Sequence, residues 1–195
     1  MQVKLLKDLA NTTFGYTFRK AIEEDLNGEM RVIQARNISS DFSFQTSTEL
    51  LRVSVDSTRS SAFVKRGEIL MTTRGATVGG YKTCMFDADS DLPVLASSSL
   101  FILHSISQTV LPEYLVAYLN SDHAQRELQD KSTGATVRSI PRGELERLKI
   151  PIPPLEKQKS IIALQQNIKQ QNKLLNQRLT INNQIIDTII KHISN

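Results

Sequence analysis

Few residues of this chain are of a type that does chemistry, and their spacing does not assemble a site. Among 195 residues there is one cysteine, Cys84, and three histidines, His104, His123 and His192. A zinc centre takes three or four Cys, His or carboxylate ligands at short, set spacings, and neither a CxxC nor an HExxH run is present. A Ser or Cys nucleophile needs a base beside it, but there is no GxSxG and no histidine near Cys84 in sequence. Asp87, Asp89 and Asp91 alternate like the start of a divalent-ion loop, without the glycine and closing glutamate of a calcium loop. A solvated acidic loop is the better reading. The stretch from Arg74 to Gly80, RGATVGG, resembles a phosphate cradle, yet it lacks the Lys-Ser/Thr pair and the following helix of a Walker A loop. No catalytic residue, metal or cofactor is therefore expected.

What remains is binding chemistry. Arg19, Lys20, Arg36, Arg59, Lys65, Arg66, Arg74, Lys82 and Arg138 fall beside expected loops. Their neighbours include Gln34, Asn37, Thr72, Thr73 and Ser97 to Ser99. Arg, Asn, Gln, Ser and Thr are the side chains that hold phosphates and read base edges. An ordinary loop surface is the competing reading.

Composition bounds the class. With 39% hydrophobic and 23% charged residues, the chain is expected to be folded and soluble. The longest uninterrupted apolar run, Tyr114 to Leu119, is six residues, far short of a membrane span. No signal peptide is read at the N-terminus, and a lone cysteine fits a reducing cytoplasm. Residues 1–110 hold twelve Lys/Arg and twelve Asp/Glu, so the net +4 sits in residues 111–195. The pI of about 9.2 points weakly to an anionic partner.

The elements that must position these groups fall into two kinds. Up to about residue 108 the chain reads as strands. Leu51, Val53 and Val55 alternate with polar residues, Ile69 to Thr73 is a buried run, and Tyr81 to Met85, Leu92 to Ala96 and Leu100 to His104 follow. Phe14 to Phe18 reads as a turn flanked by aromatics. The apolar spacing predicts one helix over 112–129, with Thr109 as its cap and Pro112 in its first turn. Short pieces at 138–152 complete an α+β unit.

All six prolines lie at or before Pro154 and all eight glycines at or before Gly143, so the last 41 residues contain neither. Their apolar spacing predicts a helix from Glu156 to about His192, roughly 55 Å long. Ile161, Leu164, Ile168, Asn172, Leu175, Leu179, Asn182, Ile186, Ile189 and Ile193 form a near-heptad seam with one four-residue stutter. Such a rod must pack on another copy or another protein, or break and fold back near 180–183. Asn172 and Asn182 in the seam would set register at a cost in stability.

In order and spacing, several segments resemble the specificity subunits of type I restriction–modification systems, the HsdS family. The carriers are Phe63 to Val78 (FVKRGEILMTTRGATV), Ser97 to Phe101, Leu111 to Leu115 with Leu119-Asn120-Ser121, and Gly134-Ala135-Thr136 with Ile140. The most specific is Lys149 to Gln158, KIPIPPLEKQ. Thr73 and Ser99 stand where Arg and Asn are common in the family. The resemblance implies a mainly β-strand target recognition domain with small helices at 1–150, followed by a conserved-region long helix at 151–195. It implies a non-catalytic subunit that binds double-stranded DNA and serves methyltransferase subunits, and motor–nuclease subunits when these assemble. Family members are roughly twice this length, so two copies are expected to pair through antiparallel C-terminal helices. Joined with the loop chemistry above, the resemblance makes Arg19, Arg36, Arg59, Arg74, Lys82 and Arg138 the expected DNA contacts, with Asn37 and Ser98 as base readers. Gly75 and Gly79 are backbone devices. Two alternatives stay open: a coiled-coil interaction module without DNA binding, and one part of a split specificity subunit that needs a different second half.

Overall fold

The computed structural model describes residues 2–39, 44, 50–55, 60–75, 80–134 and 137–193. In chain order the strands are β1 (Gln2–Leu5), β2 (Ala10–Phe14), β3 (Met30–Ile33), β4 (Leu51–Val53), β5 (Ile69–Thr72), β6 (Arg74–Gly75), β7 (Thr83–Met85), β8 (Val94–Ala96), β9 (Leu100–Ser105), β10 (Arg138–Ser139) and β11 (Lys149–Ile152). The helices are α1 (Pro112–Leu119), α2 (Asp122–Asp130), α3 (Arg142–Glu146) and α4 (Leu155–Ile193). The strands form a four-stranded antiparallel sheet in the order β2-β9-β5-β7 and a three-stranded sheet β4-β3-β8, in which β3 and β8 are parallel. Two ribbons, β1-β11 and β6-β10, complete the mixed α/β fold.

Successive strand residues point to opposite faces, and the larger sheet is covered on both. Ile69, Met71, Phe101 and Leu103 enter one apolar cluster with Leu6, Tyr114, Leu115 and Leu148. Leu70, Leu100, Ile102 and Cys84 enter a second with Ile33, Ile38, Phe86 and Val94. Burial on both faces explains why Ile69 to Thr72 reads as an unbroken run rather than an alternation.

The outer edge of β7 meets side-chain amides instead of another strand. Asn120 Oδ1 accepts the Thr83 N–H at 3.0 Å, and its Nδ2 donates to the Thr83 carbonyl at 2.7 Å. Gln125 treats Tyr81 in the same way, at 2.8 and 2.9 Å. Open strand edges invite pairing with other chains, and these two carboxamides close this one.

This clamp also corrects two sequence expectations, and two more are corrected elsewhere in the fold. The single helix expected over 112–129 is two helices, because Asn120 turns toward Thr83 and Ser121 Oγ caps α2 by accepting the Ala124 N–H. The strand expected from Tyr81 begins at Thr83, since the Tyr81 backbone is taken by Gln125. Thr109 does not cap α1. That position is Leu111, whose N–H goes to Gln158. Phe14, expected in a turn, is the last residue of β2, with its ring centroid 4.7 Å from that of Phe101. Replacing Asn120 by alanine is expected to cost about 2 kcal/mol, because two partly buried backbone groups lose their partners. Urea unfolding measures this, and a loss below about 0.5 kcal/mol would contradict the clamp.

The chain closes before its last helix. β1 pairs antiparallel with β11, Gln2 opposite Ile152. α4 then runs for 39 residues, about 58 Å, without a break at 180–183. Its start is fixed: Gln158 is fully buried, and Ile161 and Ile162 pack on the first cluster. Beyond that its apolar side chains are exposed, including Leu164, Ile168, Leu175, Leu179, Ile186 and Ile189. An open groove of about 1200 Å³ separates its first half from Phe44, Met85 and Val116. No helix among the described residues is long and apolar enough to cross a membrane.

Candidate nucleic-acid interface

The short loop Ser97–Ser99 between β8 and β9 gathers several strand ends. Ser97 N–H donates to the Ile33 carbonyl at the end of β3, at 2.8 Å. Ser98 N–H donates to the Tyr16 carbonyl at 2.8 Å, and the Tyr16 N–H to the Ala96 carbonyl. Gly15 is required there, since a Cβ would lie 2.2 Å from the Ser97 carbonyl oxygen. The Ser99 carbonyl accepts the Thr73 N–H at 2.9 Å. Thr73 in turn accepts from the Ile140 N–H and the Ser139 hydroxyl, which draws in β10. Loops that are remote in sequence, around residues 16, 35, 74, 98 and 139, thus share one end of the fold.

That end carries several of the expected DNA contacts. Arg36 is the exposed middle residue of a tight turn, Ala35–Asn37. Arg74 and Arg138 are exposed on the β6-β10 ribbon, where Arg138 lies opposite Gly75 and Ser139 opposite Arg74. A Cβ on Gly75 would crowd the Tyr81 ring at 3.1 Å, so glycine lets the ribbon lie flat on it. Ser98 is exposed between Tyr16 and Thr73. Arg19 is exposed three residues beyond Tyr16, whose ring meets Phe18 edge-on. Among the described residues Arg19, Arg36, Arg74 and Arg138 form no ion pair, although one Arg138 nitrogen donates to the Gln129 carbonyl at 3.0 Å. Four of the other described arginines are tied to carboxylates: Arg31 to Asp91, Arg66 to Asp87 and Asp89, Arg142 to Glu146, and Arg147 to Glu144; Arg52 instead donates to the Gly28 carbonyl.

Two expected contacts have structural partners. Asn37 is 3% exposed, and its Oδ1 accepts the Gln34 N–H at 2.9 Å to close the turn. Lys82 Nζ donates to the Ile38 carbonyl at 3.1 Å and ties β7 to that same turn. Arg59 and Gly79 lie outside the described residues.

The groups that sequence motifs set aside for chemistry are accounted for by packing and ion pairing. Burial pushes the Cys84 thiol up to about 12, so it holds its proton near neutrality. The acidic loop is drawn in by Arg66 and Arg31, and the Arg31 hydrogen bond holds the Asp91 carboxyl below the usual range. His104 bridges Glu68 at 2.7 Å and Thr13 at 3.1 Å, joining β9, β2 and the turn before β5. Among the described residues no group of three or more His, Cys, Asp or Glu is placed to hold a metal ion. The loop serines, Gln158 and Asn120 matter more than their residue types suggest: all three lie in segments that carry the family resemblance, but nothing local in the sequence assigns Asn120 and Gln158 their distant backbone partners.

The family model for the type I restriction modification DNA specificity domain matches residues 1–185. A search of the curated proteins returned no match. Among solved structures, a chain from a study of complex assembly and conformational transition of the type I R-M system is similar, with a TM-score of 0.65 at 21% identity, over 91% of this chain and 40% of that one. The HsdS subunit from Thermoanaerobacter tengcongensis gives 0.62 at 20% identity, over 91% and 39%. The type I restriction–modification S subunit from M. genitalium gives 0.55 at 13%, over 94% and 42%. The chain thus spans about 40% of the length of the solved chains it matches.

Proposed function

The chain belongs to the type I restriction modification DNA specificity domain family, and from that premise we propose that it is a non-catalytic, sequence-specific DNA-binding subunit. The single observation that carries the reading is the family match over residues 1–185. The unpaired arginines around the serine loop support it. In this reading residues 1–150 bind the duplex, and residues 151–195 space and join the readers. Arg19, Arg36, Arg74 and Arg138 hold phosphates or base edges, and Ser98 sits among them. Adenine methylation, and any cleavage, belong to the methyltransferase and motor–nuclease subunits it directs. Two copies paired through antiparallel α4 helices would be related by a two-fold axis, so their target would be a bipartite palindrome with an unspecified gap. The exposed apolar face of α4 supports pairing.

The experiment is duplex binding as a function of salt. Arg74→Ala and Arg138→Ala are each expected to weaken binding and, at a phosphate contact, to reduce the log–log salt slope by about one. A loss confined to one target sequence identifies a base reader instead. Unchanged affinity and slope in both variants would contradict the placement. A second reading, an oligomerising module without DNA binding, draws on the same α4 face and on the neutral charge of residues 1–110. Failure to bind any duplex, alone or with a methyltransferase subunit, would favour it. A monomeric mass would favour a split subunit awaiting a different second half.

A further inference from the structure

Ser99 stands between the turn that carries Arg36 and the strand that carries Arg74, and it holds each by a different atom. Its Oγ accepts the Ala35 N–H at 3.0 Å and lies 2.7 Å from Ser97 Oγ, one hydroxyl of the pair donating to the other. Ser97 is only 4% exposed. The turn is closed on itself, since the Asn37 N–H donates to the Gln34 carbonyl while Asn37 Oδ1 accepts the Gln34 N–H. The Ala35–Ser99 bond is one of its attachments to the loop. On the other side, the Ser99 carbonyl accepts the N–H of Thr73, the residue before Arg74. Ser99 therefore links the two elements that carry these exposed arginines, beside the Ser97–Ile33 and Lys82–Ile38 bonds that also hold the turn. The hydroxyl governs Arg36, and the backbone governs Arg74.

We propose that Ser99 is a positioning residue for sequence reading: its hydroxyl sets the Arg36 turn in register with Arg74. The proposal rests on the DNA-specificity reading above. A guanidinium reads guanine only when both of its hydrogen bonds are in place, so a turn released from one anchor loses discrimination before it loses phosphate attraction.

The test selects bound sequences from a randomised double-stranded DNA library with the 195-residue chain. The wild-type chain is expected to enrich a motif. Ser99→Ala is expected to lose roughly tenfold preference at particular base positions, the same positions lost by Arg36→Ala, with the chain still folded at the assay temperature and the rest of the motif kept. Ser99→Thr retains the hydroxyl and should restore them. The double variant Ser99→Ala/Arg36→Ala should lose no more than Arg36→Ala alone, because one residue acts through the other. Ala35→Pro removes the same bond from the donor side. The Gln34 backbone, at φ −124° and ψ 166°, admits a following proline. This variant carries the test if Ser99→Ala does not fold. An unchanged motif in Ser99→Ala, a uniform loss at every position, or additive effects of the two substitutions would overturn the proposal. If the wild-type chain enriches no motif, the DNA-specificity reading itself fails, and the proposal with it.

Discussion

Replacing Gln158 by leucine is expected to lower the unfolding free energy by about 3 kcal/mol or more. Its side chain is fully buried and makes three hydrogen bonds to backbone. Oε1 accepts the Leu111 N–H at 2.9 Å, and Nε2 donates to the carbonyls of Thr109 at 3.0 Å and Pro153 at 2.9 Å. Leucine matches the volume but supplies neither donor nor acceptor. The loop before α1, the proline segment before α4 and the first turn of α4 would lose their common fastener. A buried polar group left without a partner costs about 1–3 kcal/mol, and three are affected here. At about 2–4 °C per kcal/mol for a chain of this size, the midpoint should fall by about 6–12 °C. Gln158→Glu keeps the acceptor for Leu111 but has no amide donor, and should not rescue. Thermal and urea unfolding check this, and a shift under about 2 °C would show that α4 does not depend on this residue for its docking.

The second large effect concerns association rather than folding. Leu175→Asp with Leu179→Asp is expected to weaken pairing of two copies by at least about 1000-fold. Both leucines are more than half exposed in the single chain, at 57% and 60%, so the substitutions leave its own core untouched. In a two-fold pair each change occurs twice, and burying a leucine contributes about 1.5–3 kcal/mol. Light scattering across a dilution series reads the mass. The wild-type chain should run as a dimer at micromolar concentration and the variant as a monomer, with the same unfolding midpoint for the recognition domain. A dimer that survives both aspartates would place the contact elsewhere.

The parts legible in the sequence are those governed by local periodicity. The unbroken run Ile69 to Thr72 and the long helix without Gly or Pro follow from spacing alone. The exposed arginines beside loops were also within reach, because loop chemistry is local. What the sequence hides depends on partners far along the chain. Asn120 ends a helix because of Thr83, 37 residues away, and Gln158 is buried because of Thr109 and Leu111. No amphipathic pattern encodes a carboxamide that serves a distant backbone. Asn37 shows a group whose capacity the fold already uses. An Asn beside an Arg resembles base-reading chemistry, yet here it closes its own turn onto Gln34. Lys82 is similar, a cation engaged by the Ile38 carbonyl. Residue type indicates what a group can bond to, and only the fold decides whether that capacity is already used.

The most direct test of the central claim is a map of adenine methylation in cells producing a type I methyltransferase subunit, with and without this chain. With the chain present, methylation is predicted at one bipartite palindromic motif with a fixed gap, and without it that motif should be unmethylated. The same methylation pattern in both cells would contradict the account.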